Sequence, residues 1–154
     1  MNRRLLLLSC CLLLTLTACG SDSNSGDPAR VRYAASLGVD LGAMQRSDSG
    51  LYTLDQEVGA GVEATPGRVL TVNYSGWLPD GSLFDSTSRS GKPFSFTLGA
   101  SRVIAGWDEG LVGMKVGGKR RLILPSELGY GAQGTPGIPP DSVLIFDVEL
   151  LSAR

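Results

Sequence analysis

Histidine is missing from all 154 residues. Its absence removes Ser-His-Asp triads, Cys-His pairs and His-ligated zinc. A surplus of charge is missing too: 14 basic residues face 15 acidic ones, a formal net charge of −1. No basic face therefore announces a nucleic acid, and none is expected as a partner. Cysteine is scarce and confined to positions 10, 11 and 19. Carboxylate clusters that would replace histidine as metal ligands are thin. Asp108 and Glu109 point to different parts of a helix, and Asp147 and Glu149 share a strand face that reads as solvated. There is no P-loop and no dinucleotide fingerprint, and Ser126 has no base beside it. Covalent and metal-assisted catalysis are therefore not expected, and neither a metal nor a cofactor is implied.

What is present begins with a leader. Met1 to Arg4 is a short basic start, and Leu5 to Leu16 is a nearly unbroken apolar run. That is the layout of a secretory signal, too short for a comfortable permanent span. The run ends in Leu16-Thr17-Ala18-Cys19, which resembles the lipobox of bacterial lipoproteins, where cleavage leaves the cysteine as first residue. The other reading is a plain signal with a coincidental cysteine. Cysteine arithmetic favours the lipid: Cys10 and Cys11 leave with residues 1–18, so Cys19 is the one thiol of the mature chain. An unmodified thiol would be a liability in an oxidising compartment, and acylation removes it. Two or more acyl chains anchor firmly. The expectation is a lipid anchor on the cell envelope. Gly20 stands where aspartate would signal the inner membrane, which points to the outer membrane facing the periplasm in a Gram-negative cell.

Residues 19–48 read as an N-terminal tether. Gly20 to Pro28 is small, polar and flexible in composition. Arg30 to Gln45 carries some helical spacing, weakened by Gly38 and Gly42, and is expected to hold at most a short helix. From 49 to 154 the pattern changes. Leu51–Leu54, Val69–Leu78, Phe94–Leu98, Lys119–Pro125 and Ser142–Leu151 read as strands, with Pro79-Asp80-Gly81-Ser82 as a turn. Ile104, Trp107, Leu111 and Met114 share one face of a helix of about three turns. One helix cannot supply the crossovers of a parallel sheet. The fold class expected is α+β: an antiparallel, twisted sheet of five to six strands wrapped around one short amphipathic helix.

Nine of the ten aromatic residues lie after residue 50; on composition alone they belong to the core. Their local contexts say more. Tyr74-Ser-Gly-Trp-Leu-Pro-Asp-Gly-Ser-Leu-Phe84-Asp85, Lys92-Pro-Phe94, Val103-Ile104-Ala-Gly106-Trp107, Leu128-Gly-Tyr130-Gly, Gly137-Ile138-Pro-Pro and Leu144-Ile-Phe146-Asp occur in order along roughly 49–152. Together they resemble the FKBP-type peptidyl-prolyl cis-trans isomerases, whose fold agrees with the strand and helix count. The resemblance implies a proline pocket with Tyr74, Phe84, Asp85, Trp107, Tyr130 and Phe146 as catalytic residues and Phe94, Val103, Ile104 and Ile138 as substrate-binding ones. Trp107 would be the floor and Phe84, Phe94 and Phe146 the walls. The Tyr130 hydroxyl and the Ile104 N–H would donate to substrate carbonyls. The implied partners are proline-containing polypeptides and the macrolides tacrolimus and rapamycin. The family's usual arginine is replaced by Ser90, with Arg89 before it. Arg89 is therefore expected to face solvent and the Tyr74 hydroxyl to be the chief side-chain partner of Asp85.

Such a pocket, on an envelope tether, would speed X–Pro isomerisation in secreted proteins. A non-catalytic chaperone or assembly module that holds proline segments is the alternative; a purely structural envelope lipoprotein leaves the pocket set unused. Tyr33 to Met44 is similar to the start of the dimerising segment in the macrophage-infectivity-potentiator branch, but the long helix that follows there is absent, so a monomer is expected.

Overall fold

The computed structural model describes residues 25–154; the leader and Cys19 lie outside them. Seven strands form one sheet: β1 (Gln45–Arg46), β2 (Tyr52–Glu57), β3 (Val69–Trp77), β4 (Leu83–Ser86), β5 (Phe94–Thr97), β6 (Lys119–Leu124) and β7 (Leu144–Ala153). The order is β1-β2-β6-β7-β3-β4, with β5 also on β3, and every pairing is antiparallel. Two helices interrupt it, α1 (Thr87–Ser90) and α2 (Ala105–Gly110). The fold class is the expected antiparallel sheet with a short helix. The strands beyond the sequence count are the two-residue β1 and the four-residue β4.

Period-two alternation assigns each strand two faces. On β3, Leu70, Val72, Tyr74 and Gly76 turn inward; on β7, Leu144, Phe146, Val148 and Leu150 do so; on β6, Leu122 and Leu124. These side chains close over α2 through Trp107, and over Leu111 and Met114 beyond it. The helix is shorter than its apolar spacing suggested. It ends at Gly110, Leu111 caps it, and Gly113 takes a left-handed φ of 77°. Leu111 and Met114 keep their core positions from a turn instead. Gly106 and Gly110, which cost helix propensity, are explained by packing. A Cβ on Gly106 would stand 2.2 Å from a Leu124 methyl, and one on Gly110 2.8 Å from a Leu122 methyl. Only glycine lets the α2 backbone rest directly on β6.

The outer face carries a second core. Leu37, Tyr52, Ile123, Val143 and Ile145 form it, with Val31, Tyr33, Leu41, Met44 and Trp77 packed against them. Here the tether expectation is corrected. Arg30–Gln45 contains two separate 3-10 turns, Ala35–Leu37 and Leu41–Ala43, rather than one helix. Gly38 ends the first in a left-handed conformation, and the Asp40 carboxylate caps the second through the Gly42 N–H. The segment lies on the sheet and is not free of it. Leu37 is buried, its carbonyl accepts from Arg121, and β1 pairs with β2. The flexible stretch expected at 20–28 is likewise packed where described: the Ser126 N–H donates to the Gly26 carbonyl, and Pro28 is buried. The division at 48/49 between tether and domain therefore does not hold for residues 26–46. Their apolar side chains cover a sheet face that would otherwise meet water.

Candidate functional site

The inner face opens beyond α2 into a cavity of about 280 Å³, near the small end of ligand pockets. Its lining comprises Tyr74 from β3, Phe84 and Asp85 from β4, Phe94 from β5, Val103, Ile104 and Trp107 around the start of α2, Tyr130 from the loop after β6, and Phe146 from β7. Nine of the ten residues singled out in the sequence are thus brought together. Ile138 is the exception. It is 6 % exposed and belongs to the main core, where its loop pairs with Thr135; it backs the site without lining it. Arg102 lines the cavity and was missed, because the resemblance drew attention to aromatic and apolar positions.

Trp107 is the floor, 4 % exposed, with Phe146 equally buried beside it. The rings meet edge to face: Tyr74 stands 4.9 Å from Trp107 at 86°, Phe146 5.4 Å at 83°, and Phe84 5.5 Å from Phe146 at 89°. These are favoured aromatic geometries. Phe96 supports Trp107 from 5.6 Å; its place beside Phe94 on the period-two face of β5 was the signal for it. Gly76 makes room for two walls, since a Cβ there would approach the Phe84 ring to 2.7 Å and the Phe146 ring to 2.8 Å. The Trp107 indole N–H is buried without an acceptor among the described residues, so it offers the cavity no polar contact. Phe94 and Tyr130, about 40 % exposed, form the rim.

The polar groups are few. The Tyr74 hydroxyl donates to Asp85 Oδ2 at 2.5 Å, and the Ser86 N–H donates to Oδ1 at 2.8 Å. Asp85 is exposed, and both of its carboxylate oxygens nonetheless accept a hydrogen bond. Burial first, then the hydrogen bond and charge of Asp85, hold the Tyr74 hydroxyl well above its ordinary pKa, so it stays protonated. Tyr74 is indeed the side-chain partner of Asp85. Arg89 is exposed, as expected, but not idle: its guanidinium donates to the carbonyls of Leu83 and Phe84 at 3.1 and 3.3 Å. Ser90 donates to the carbonyls of Thr87 and Lys92 and so closes the turn after α1. The Ile104 N–H and the Tyr130 hydroxyl have no hydrogen-bond partner among the described residues and both edge the cavity. No group of three or more potential metal ligands occurs among the described residues. Asp108 holds the Gly99 and Ser101 N–H groups, Glu109 accepts from Ser49, and Asp147 pairs with Arg121.

A larger groove of about 550 Å³ lies on the outer side, walled by Asn73, Ser75, Ser86, Ser88, Lys119 and Glu149, among others. It lacks the aromatic cup of the smaller cavity. For an apolar ring carrying carbonyls on either side, the smaller cavity has the matching chemistry.

Residues 61–151 match the model of the FKBP-type peptidyl-prolyl cis-trans isomerases. The chain is 54% identical over 103 residues to an FK506-binding protein of Neisseria meningitidis serogroup B, covering 66% of this chain and 94% of that one. Among solved structures it is similar to AtFKBP13, with a TM-score of 0.69 and 41% identity over 72% of this chain and 98% of that one. It is also similar to FkpA from Escherichia coli, with a TM-score of 0.70 and 42% identity over 78% of this chain and 55% of that one.

Proposed function

The chain belongs to the FKBP-type peptidyl-prolyl cis-trans isomerases, and from that premise we propose that its aromatic cavity turns over X–Pro bonds in proteins folding at the cell envelope. The observation that carries this reading is the aromatic cup edged by two unpaired donors. An X–Pro amide rotates over a barrier of about 18–20 kcal/mol because rotation breaks its resonance. The twisted transition state is less dipolar than the planar amide. An apolar pocket therefore disfavours the ground state more, which is the differential binding that catalysis needs. Proline brings no N–H that would have to be desolvated. Its ring would rest on Trp107 between Phe84, Phe94 and Phe146, with the Ile104 N–H and the Tyr130 hydroxyl on flanking carbonyls. Tyr74 and Asp85 would shape the wall between them; with the hydroxyl held protonated, no proton transfer is asked of the pair. Tacrolimus and rapamycin would occupy the same cup.

The signal-like residues 1–18 and the lipobox-like ending at Cys19 support acylation and placement on the envelope, with Gly20 favouring the outer membrane of a Gram-negative cell. Uncatalysed exchange takes tens to hundreds of seconds, so secreted chains would gain from a tethered isomerase. Residues 33–44 lie on their own sheet, which supports a monomer. Two experiments test this. In a protease-coupled assay on succinyl-Ala-Leu-Pro-Phe-p-nitroanilide, the catalysed rate should rise in proportion to protein. Tacrolimus that quenches tryptophan fluorescence while no rate enhancement is seen would make the protein a proline-binding module instead. Cys19→Ser should move the protein out of the membrane fraction; a variant that stays there has another anchor.

A further inference from the structure

We propose that Arg102 is a specificity-determining residue that favours proline segments bearing a carboxylate next to the proline. The inference rests on the cavity being the prolyl site and goes on to name a class of client. Only two formal charges stand in the cavity lining, Asp85 and Arg102. Asp85 is committed: Tyr74 and the Ser86 N–H take its two oxygens. Arg102 is exposed and has no hydrogen bond or ion pair with any described residue. Arg32, Lys92, Lys115 and Arg154 also lack a side-chain partner among the described residues, but none of them lines this cavity, and other cations are committed. Lys119, Arg120 and Arg121, consecutive on β6, each bind a carboxylate, and Arg89 binds two carbonyls.

The turn before Arg102 is also built to hold it there. Ser101 adopts a left-handed φ of 53°, uncommon for a residue with a side chain. It is kept so by the Asp108 carboxylate, which accepts from the Gly99 N–H at 2.8 Å and the Ser101 N–H at 3.0 Å. That use of Asp108 removes from Arg102 the carboxylate closest along this turn. A held turn that carries an unpaired guanidinium at the mouth of an apolar cup would bring it to whatever flanks the bound proline. Its planar fork suits a carboxylate and repels a lysine or arginine.

The test uses four blocked peptides: acetyl-Ala-Glu-Pro-Ala-amide, acetyl-Ala-Lys-Pro-Ala-amide, acetyl-Ala-Pro-Glu-Ala-amide and acetyl-Ala-Pro-Lys-Ala-amide. Catalysed cis-trans exchange is read by NMR, and binding of the same peptides by tryptophan fluorescence. In the native protein Glu should be preferred over Lys about two- to fivefold on at least one side of the proline, the scale of one exposed ion pair. The preference should shrink with added salt, vanish in Arg102→Gln and reverse in Arg102→Glu. A Glu-to-Lys ratio that is the same in native protein and Arg102→Glu on both sides of the proline overturns the proposal. Peptides that bind with the expected ratio but are not turned over would leave this inference standing while removing the isomerase reading.

Discussion

The two faces of one sheet divide the labour. Along β3 and β7, alternate residues serve different cores: Tyr74 and Phe146 line the cavity, while Trp77 and Ile145 join the outer cluster beneath the N-terminal segment. The inner face leaves its aromatic surface partly open. The outer face is closed by its own chain, and its central ion pair, Arg121–Asp147, ties that cover down by donating to the Leu37 carbonyl at 2.6 Å. The proposed function thus sits where packing is left incomplete, while the other face of the same strands is covered. Residues 31–46 pack on the back of the strands that carry the cavity, although none of them lines it.

The largest expected break in this comparison is Trp107→Ala. It removes the floor shared by core and cavity, so it should cost about 3–5 kcal/mol in stability together with most of the activity, measured by denaturant unfolding and the coupled assay. Leu37→Ala comes next. It should cost about 2–4 kcal/mol by loosening the outer cover, yet the folded fraction should keep its turnover. Equal loss of turnover per folded molecule in both variants would erase the distinction between the faces.

A milder effect is set by pH. Tyr74 on the inner face and Tyr33 on the outer are both raised above their ordinary value of 10.0, first of all by burial. A raised folded-state value means the unfolded chain releases the proton first. Stability from these groups is therefore whole below pH 10 and declines as pH climbs beyond it. Tyr74→Phe and Tyr33→Phe should each flatten part of that alkaline decline in denaturation midpoints, and a slope unchanged in either variant assigns it to other groups. The smallest effect belongs to Tyr130→Phe. Losing one rim hydroxyl should leave stability nearly untouched and cost about 0.5–1.5 kcal/mol of transition-state binding, read as kcat/KM.

Much of the inner face could be read from the chain, because short motifs there combine a residue type with a fixed neighbour: Phe84-Asp85, Gly106-Trp107, Leu144-Ile-Phe146. The outer cover could not. Leu37, Leu41 and Met44 stand at helical spacing, but Gly38 and Gly42 between them argue against one helix, and the residues reach the sheet from two separate 3-10 turns that no period marks. The length of α2 was overread for a related reason. Leu111 and Met114 are buried at helical spacing, but their burial comes from a turn, and periodicity reports burial rather than hydrogen bonding. β4 escaped because four residues between a turn and α1 show too little alternation. Arg102 escaped because nothing in the chain marks a cation as unpaired until its neighbours' commitments are known.

The glycine seam between α2 and β6 bears on how the cup meets its ligands. Gly106 and Gly110 put helix backbone in close contact with the Leu124 and Leu122 side chains, so the floor under Trp107 is closely backed. On the proposed reading, a prolyl ring arriving there would find a seat already shaped, with little of its binding energy diverted into reorganising the host. What remains adjustable is the exposed rim, Phe94 and Tyr130. On that reading, selectivity among clients would be separated from the rotation itself: the rim could vary while the seat stays in place.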